Sequence, residues 1–471
     1  MSKVVVLVQL FNVLSNARMV GLKAESTRCC SSQKRLVSKG LLDVSLVTFC
    51  VNKHMAVHDP CSVKLEPVFD DLGADNLLHK SAEDYLERFK AVVTLRLPQI
   101  MAKLGMSKSE NPASCLVYDS LVPWALDIAK EHGVYGAEFF TMSCAVSTVF
   151  YNVHEGLFKV PIVEPCVSMA GLPLLEARDL PSFVYDIKAY PTFTQLLTDQ
   201  FSSFKKADWV FFNTFTSLEN EVVKWMSKQR PIKTIGPTIP SKYLDKQVED
   251  DSDYGIHLFK PEMDICVNWL NSKQTGSVVY VSFGSLATLG GDQMEHLALG
   301  LKRSERNFLW VVRETEQKKI PTNFMEETSE KGLVVAWSPQ LQVLAHEAVG
   351  CFMSHCGWNS TMEALSLGVP MVAVPQWTDQ PTNAKFIVDV WRVGIRAEVD
   401  GKGTIRKEEI ERCIREIMEG DASEDIKRNA LKWKRLTMEA VSEGGSSHTN
   451  ITEFIAELTA KDHVSPPQLE P

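Results

Sequence analysis

The feature that most constrains this chain is an alternation that runs through it twice. In the first half, apolar runs such as DVSLVTFCV (43–51), SCLVYDS (114–120) and WVFFNTF (209–215) are separated by DYLERFKAVVTLRLPQIMAKLG, PWALDIAKEHG and similar amphipathic stretches. Strands that are apolar throughout are buried on both faces, and the helices between them supply the cover. Gly40, Gly105 and Gly133 stand where such helices end, a position that favours a left-handed cap. The stretch 231–262 breaks the pattern with prolines and a charge run, as a linker does. The alternation then restarts: SVVYVSFG, NFLWVVR, GLVVAW, GCFMSH and PMVAVP read as strands, and DQMEHLALGLKRS, LQVLAHEA, STMEALSLG and PTNAKFIVDVW as helices.

Two sequential doubly wound α/β domains follow, facing a cleft that is the expected ligand site. A chain of 471 residues exceeds what a single core accommodates. The expected division is residues 1–240, a linker at 241–262, a second domain at 263–445, a final helix at 446–460 and a tail at 461–471. A net charge of −9 argues against nucleic-acid binding. The 11 cysteines lack paired CxxC spacings, as in a protein kept reduced. No apolar run is long enough to span a bilayer, and VVVLVQL near the N-terminus reads as a buried first strand rather than a signal peptide. A cytosolic monomer is expected. The sequon Asn359-Ser360-Thr361 agrees, because glycosylation in the secretory pathway would strike the most informative stretch of the chain.

That stretch is HCGWNSTME (355–363), with His346 nine residues before it. Zinc is a poor fit: His355 and Cys356 are adjacent and point to opposite faces of a strand, and no further short ligand spacing recurs. Cys356 as a nucleophile competes with its reading as a small buried residue. A third reading uses the whole stretch. GCFMSH is a strand, CGW a tight turn, and NSTMEALSLG the opening of a helix whose N–H groups and dipole face an anion. His355, Asn359 and Ser360 add side-chain donors there. A capping box between Ser360 and Glu363 explains those two residues without any ligand.

Other strand ends favour the phosphate cradle. SVVYVSFGS delivers Gly284 and Ser285 to a second tip. Trp337 and Gln340 follow LVVAW, an indole face for a base and an amide for its edges. Asp379 and Gln380 follow PMVAVP, a carboxylate and an amide suited to paired sugar hydroxyls. In a parallel sheet these tips line one edge.

The segment from Trp337 to Gln380, WSPQLQVLAHEAVGCFMSHCGWNSTMEALSLGVPMVAVPQWTDQ, resembles the signature of the plant family 1 UDP-glycosyltransferases. The likeness extends from about Lys34 to the final helix, and LVYDSLVPWALDIAKEHG and SVVYVSFGSLATLG resemble the branch acting on salicylate, thiohydroximates, auxin-like acids and some terpenoids. The resemblance implies a GT-B fold with UDP-glucose as co-substrate, no metal or other cofactor, and a small apolar acceptor bearing a hydroxyl or carboxyl group. It implies that Trp337 stacks on uracil, that Gln340 and Glu363 contact the nucleoside, Glu363 through the ribose, and that Ser285, His355, Asn359 and Ser360 bind the diphosphate. Trp358, Asp379 and Gln380 would contact the sugar, and the region of Thr141, Met142 and Ser143 would line the acceptor pocket. The final helix would cross back onto the first domain. The chemistry implied is one inverting displacement, in which an N-terminal histidine takes the acceptor proton and an aspartate, matched here by Asp119, steadies the imidazolium.

The histidine is where this chain departs. KRLVSKG (34–40) is family-like, but ESTRCCSSQ precedes it and the first histidine of the sequence is His54. A one-base change of frame near Lys34 would restore a family-like NPMLQFS. Losing a general base costs about 10²–10⁴-fold, so an alternative expectation is a silent UDP-sugar-binding homologue.

Overall fold

A computed structural model describes residues 2–8, 12–15, 18–21, 42–50, 64–69, 82–106, 114–248, 251, 254, 262–285 and 287–461. Two parallel sheets organise them. The first holds β1 (Ser2–Val8), β2 (Leu42–Cys50), β3 (Lys64–Phe69), β4 (Cys115–Asp119), β5 (Tyr135–Phe140), β6 (Trp209–Phe212) and β7 (Lys233–Thr234), in the order β7-β6-β5-β4-β1-β2-β3. The second holds β8 (Val278–Ser282), β9 (Asn307–Val311), β10 (Gly332–Val335), β11 (Val349–Ser354), β12 (Met371–Ala373) and β13 (Gly394–Arg396), in the order β10-β9-β8-β11-β12-β13. Both are the doubly wound sequence expected of buried apolar strands. In each sheet the order reverses beside the first strand, at β1/β4 and at β8/β11, and there the connecting helices diverge to opposite faces and leave a crevice at the strands' carboxyl ends.

The described part of the run VVVLVQL, residues 4–8, lies in the interior strand β1, which pairs with β2 and β4. Gly105 and Gly133 adopt positive φ, +63° and +69°, as the helix-end reading requires; Gly40 lies outside the described residues. So do the KRLVSKG segment, ESTRCCSSQ and the frame-shifted reading of it, the slot of the family histidine, His54 and the tail beyond Lys461. Two expectations need correction. The linker does not begin at residue 231, because Lys233–Thr234 pairs with β6 as an edge strand, too short to show an apolar pattern. WVFFNTF also ends as a strand at Phe212, where Asn213 turns the chain and its Oδ1 accepts from the Thr238 N–H at 3.1 Å.

The last helix, Ser446–Ala460, packs on the outer end of the first sheet. Phe454 meets Trp209 and Phe211 edge-on at 5.1 and 5.0 Å, and Glu457 accepts from the Trp209 indole at 2.5 Å. Across the cleft the sheets are tied by directed bonds. The Trp358 indole donates to the Asn213 carbonyl at 2.8 Å and the Trp391 indole to that of Leu218 at 3.0 Å. Asp179, 2% exposed, accepts from Arg396 at 2.7 Å and lies 3.4 Å from Lys385.

Removing one partner of a buried pair strands the other charge, whereas exposed pairs contribute little. Asp179→Ala should therefore lower unfolding free energy by about 2 kcal/mol, discounted because Arg396 keeps some solvent. Arg178→Ala, which breaks the exposed pair with Glu398, should change it by less than about 0.5 kcal/mol. Urea titration of both variants checks this, and equal losses would refute it.

Candidate active site

The site is built from the tips of the second sheet, and the tips are stitched to one another. After β8, the Ser285 carbonyl accepts from Arg313 at 2.6 Å and Ala287 O from the same guanidinium at 2.7 Å. Arg313 follows β9, so the two loops are held as one. After β10, Gln340 donates to Ser360 Oγ at 3.0 Å and to Glu363 Oε2 at 2.6 Å, while its Oε1 accepts from Tyr280 at 3.2 Å. After β12, Asp379 Oδ2 accepts from the Trp358 backbone N–H at 3.1 Å and from Asn383 at 2.7 Å.

The turn HCGW lies between β11 and the helix Trp358–Leu367. Cys356 has φ +65°, a left-handed conformation that lets the chain reverse in two residues. The His355 ring sits between two glycines: a Cβ on Gly284 would lie 2.9 Å from its Cε1 and Nε2, and one on Gly357 2.6 Å from Nε2. Only glycine leaves room on both sides, and Gly284 also holds φ +71°, which favours glycine on its own account. The ring is thus fixed at the switch point, beside the helix N-terminus, where an anion is favoured.

The alternatives resolve by geometry. Gly357 caps the helix and no side chain caps it, so Ser360 lies inside the first turn and the capping box with Glu363 does not form. Glu363 instead turns to Gln340 and to Tyr254, whose hydroxyl donates to Oε1 at 2.8 Å. Burial pushes the Cys356 thiol up to about 12, where it is no nucleophile at neutral pH. His346 bonds Asn271 at 3.1 Å at the far end of β11. Among the described residues no group of three or more His, Cys, Asp or Glu gathers as a metal site.

Ser285, Trp337, Gln340, His355, Asn359, Ser360, Glu363, Asp379 and Gln380 therefore stand on one edge. Gln380 uses its Oε1 on the N–H groups of Gln376 and Trp377, at 2.9 and 3.1 Å, leaving its Nε2 as the donor. Trp358 differs from expectation: the residue is 3% exposed, and its indole is committed to the Asn213 carbonyl and to Trp391, at 6.1 Å between centroids. Its side chain joins the domains rather than facing a sugar. Ser143 also differs. It caps the helix Cys144–His154 by accepting from Val146 N–H at 3.1 Å, and it donates to Asn383 Oδ1 at 3.2 Å. Thr141 is buried and Met142 half-buried against the core.

Asp119 ends β4 at the switch point of the first sheet. Oδ1 accepts from Leu121 N–H at 3.0 Å, the bond of a strand-end cap. Oδ2 is buried with no hydrogen-bond partner among the described residues, which capping does not explain. Burial pushes its carboxyl up to about 7, the Leu121 hydrogen bond working against it. Sequence reading missed Arg313 and Tyr254, since an arginine after a strand and a tyrosine in a linker carry no local signature.

Two doubly wound domains with a donor-lined strand edge between them define a nucleotide-sugar site of the glycosyltransferase type. Residues 232–439 match the family model described as UDP-glucoronosyl and UDP-glucosyl transferase. Mogroside I-E synthase of Siraitia grosvenorii is 48% identical over 428 residues, covering 90% of this chain and 94% of that one. UDP-glycosyltransferase 74E2 of Arabidopsis thaliana is 48% identical over 429 residues, again covering 90% and 94%. Among solved structures, Os79 of O. sativa in complex with UDP superposes with TM-score 0.86 at 34% identity, covering 97% of this chain and 100% of that one. The chain belongs to the UDP-glucoronosyl and UDP-glucosyl transferase family, as a plant-type GT-B enzyme with a UDP-sugar as co-substrate. Nothing in these likenesses supports the alternative of a silent homologue. No helix among the described residues is long and apolar enough to cross a membrane.

Gly284→Ala tests the histidine cradle. The added methyl must push the His355 ring aside, so UDP affinity should fall about tenfold, the worth of a hydrogen bond to a charged group. Calorimetry with UDP measures it, and unchanged affinity would show that the ring position is immaterial.

Proposed function

We propose that this chain transfers glucose from UDP-glucose to the carboxylate of a small apolar plant metabolite, forming a glucose ester as a cytosolic monomer. In this reading Trp337 stacks on uracil, Gln340 and Glu363 contact the nucleoside, Glu363 through the ribose hydroxyls, and Gln340 also holds the Glu363 carboxylate in place. His355, Ser285, Asn359 and Ser360 bind the diphosphate, and Asp379 and Gln380 bind the glucose. The acceptor oxygen attacks the anomeric carbon from the face opposite the diphosphate. The carbon–oxygen bond to the diphosphate breaks with its electron pair, and the configuration inverts. Negative charge grows on the departing UDP, where the helix terminus and His355 stabilise it.

One observation carries the choice of acceptor. The sequence has no histidine before His54, and Asp119, the residue matched to the family's relay, presents a buried Oδ2 without a partner among the described residues. A hydroxyl acceptor must lose a proton during attack. A carboxylate is already ionised at neutral pH and needs no base. The stitched donor edge, with no such requirement, serves both equally.

The test is a pH profile of transfer to a carboxylic acid and to a phenol of similar shape. With the acid, the rate should be nearly flat from pH 6 to 9. With the phenol it should rise about tenfold per unit below the phenol's own pKa near 10, because only the phenolate reacts. A phenol profile that is flat between pH 7 and 9 would reveal a protein base and overturn the reading.

A further inference from the structure

Glu363, read above as the ribose acceptor, is 1% exposed. Its two oxygens are held by donors of different standing. Gln340 on Oε2 is itself fixed by Ser360 and Tyr280, and Tyr280 lies 2.8 Å from Ser338 Oγ. That side of the carboxylate belongs to the packed sheet. Tyr254 on Oε1 reaches in from the segment between the domains. The segment has an anchor on each side of it. Before it, the Ser241 N–H donates to Asp251 Oδ2 at 2.7 Å and the Lys242 N–H to Asp251 O at 3.1 Å. After it, the Glu262 N–H donates to the Trp337 carbonyl at 3.1 Å, and Glu262 Oε1 accepts from Ala336 N–H at 3.0 Å. Of these two donors, Gln340 is bound into the second sheet's own network, whereas the phenol comes from outside that sheet, its ring packed against the core beside it.

We propose that Tyr254 sets the affinity of the donor site: its hydroxyl holds the place of a ribose hydroxyl on Glu363 Oε1 and is displaced when the UDP-sugar binds. The inference rests on Glu363 being the ribose acceptor. The exchange is chemically even, since a neutral O–H donor to a carboxylate is replaced by another of the same kind. Binding through Glu363 therefore gains only what exceeds the bond given up. The device keeps a buried carboxylate satisfied, which is costly to leave without donors, and it links donor binding to the chain segment that joins the domains.

Calorimetric titration with UDP and with 2′,3′-dideoxy-UDP tests it on wild type, Tyr254→Phe, and Tyr254→Phe combined with Glu363→Ala. Tyr254→Phe keeps the ring and removes the competing hydroxyl, so UDP should bind about 3- to 10-fold more tightly. A gain of affinity cannot come from a damaged fold. Unchanged or weaker UDP binding in that variant overturns the inference. Adding Glu363→Ala in the Tyr254→Phe background should weaken UDP but not dideoxy-UDP. If it weakens both equally or neither, the ribose reading of Glu363 fails, and the inference with it. If that arm holds while Tyr254→Phe fails to tighten UDP, only the role of Tyr254 falls.

Discussion

A parallel sheet sends every chain back through a helix, so all its strands finish on one side. The rest of this structure depends on that constraint. In the second sheet it places the ends of β8, β10, β11 and β12 along one rim. At β8/β11 it opens a crevice, because the helices that follow leave on opposite faces. The His355 ring occupies that crevice between Gly284 and Gly357. Two glycines far apart in sequence thus serve one side chain, and the close approach of the loops leaves no space for any other residue at either place.

Placing the tips together does not by itself hold them still. Arg313, Gln340 and Asp379 each reach from one loop to the next. The consequence is a rim with little freedom to reorganise, which is what electrostatic stabilisation of a departing diphosphate requires. Trp358 extends the same logic across the cleft. Its backbone N–H is held by Asp379 and its indole by the Asn213 carbonyl, so the donor loop is fixed against the opposite domain. The first sheet is simpler in what it offers: Asp119 at the matching switch point, with one oxygen on a backbone N–H and one buried without a partner among the described residues.

Much of this was legible in the sequence, for physical reasons. Apolar runs in β4, β8 and β11 announce burial on both faces, and their alternation with helices leaves only a doubly wound order. The tips of β4, β8, β10, β11 and β12 carry the candidate polar residues, so that set is legible in the sequence alone. What escaped depends on distance rather than pattern. Lys233–Thr234 becomes a strand only because β6 offers an edge. The family resemblance made Trp358 a sugar contact, yet its side chain fills the space between domains. Ser143 is a helix cap whose hydroxyl also reaches Asn383. Tyr254 and Arg313 act through partners 109 and 28 residues away, and local sequence holds no trace of such pairings.

The central claim is that the rim of the second sheet grips a uridine diphosphate along its length, base at Trp337 and phosphates at His355. Calorimetric titration of uridine and of UDP on Trp337→Ala and His355→Ala tests it most directly. The account predicts that Trp337→Ala weakens both ligands, while His355→Ala weakens UDP and leaves uridine binding unchanged. A protein with no affinity for UDP, or a His355→Ala variant that loses uridine and UDP alike, would contradict it.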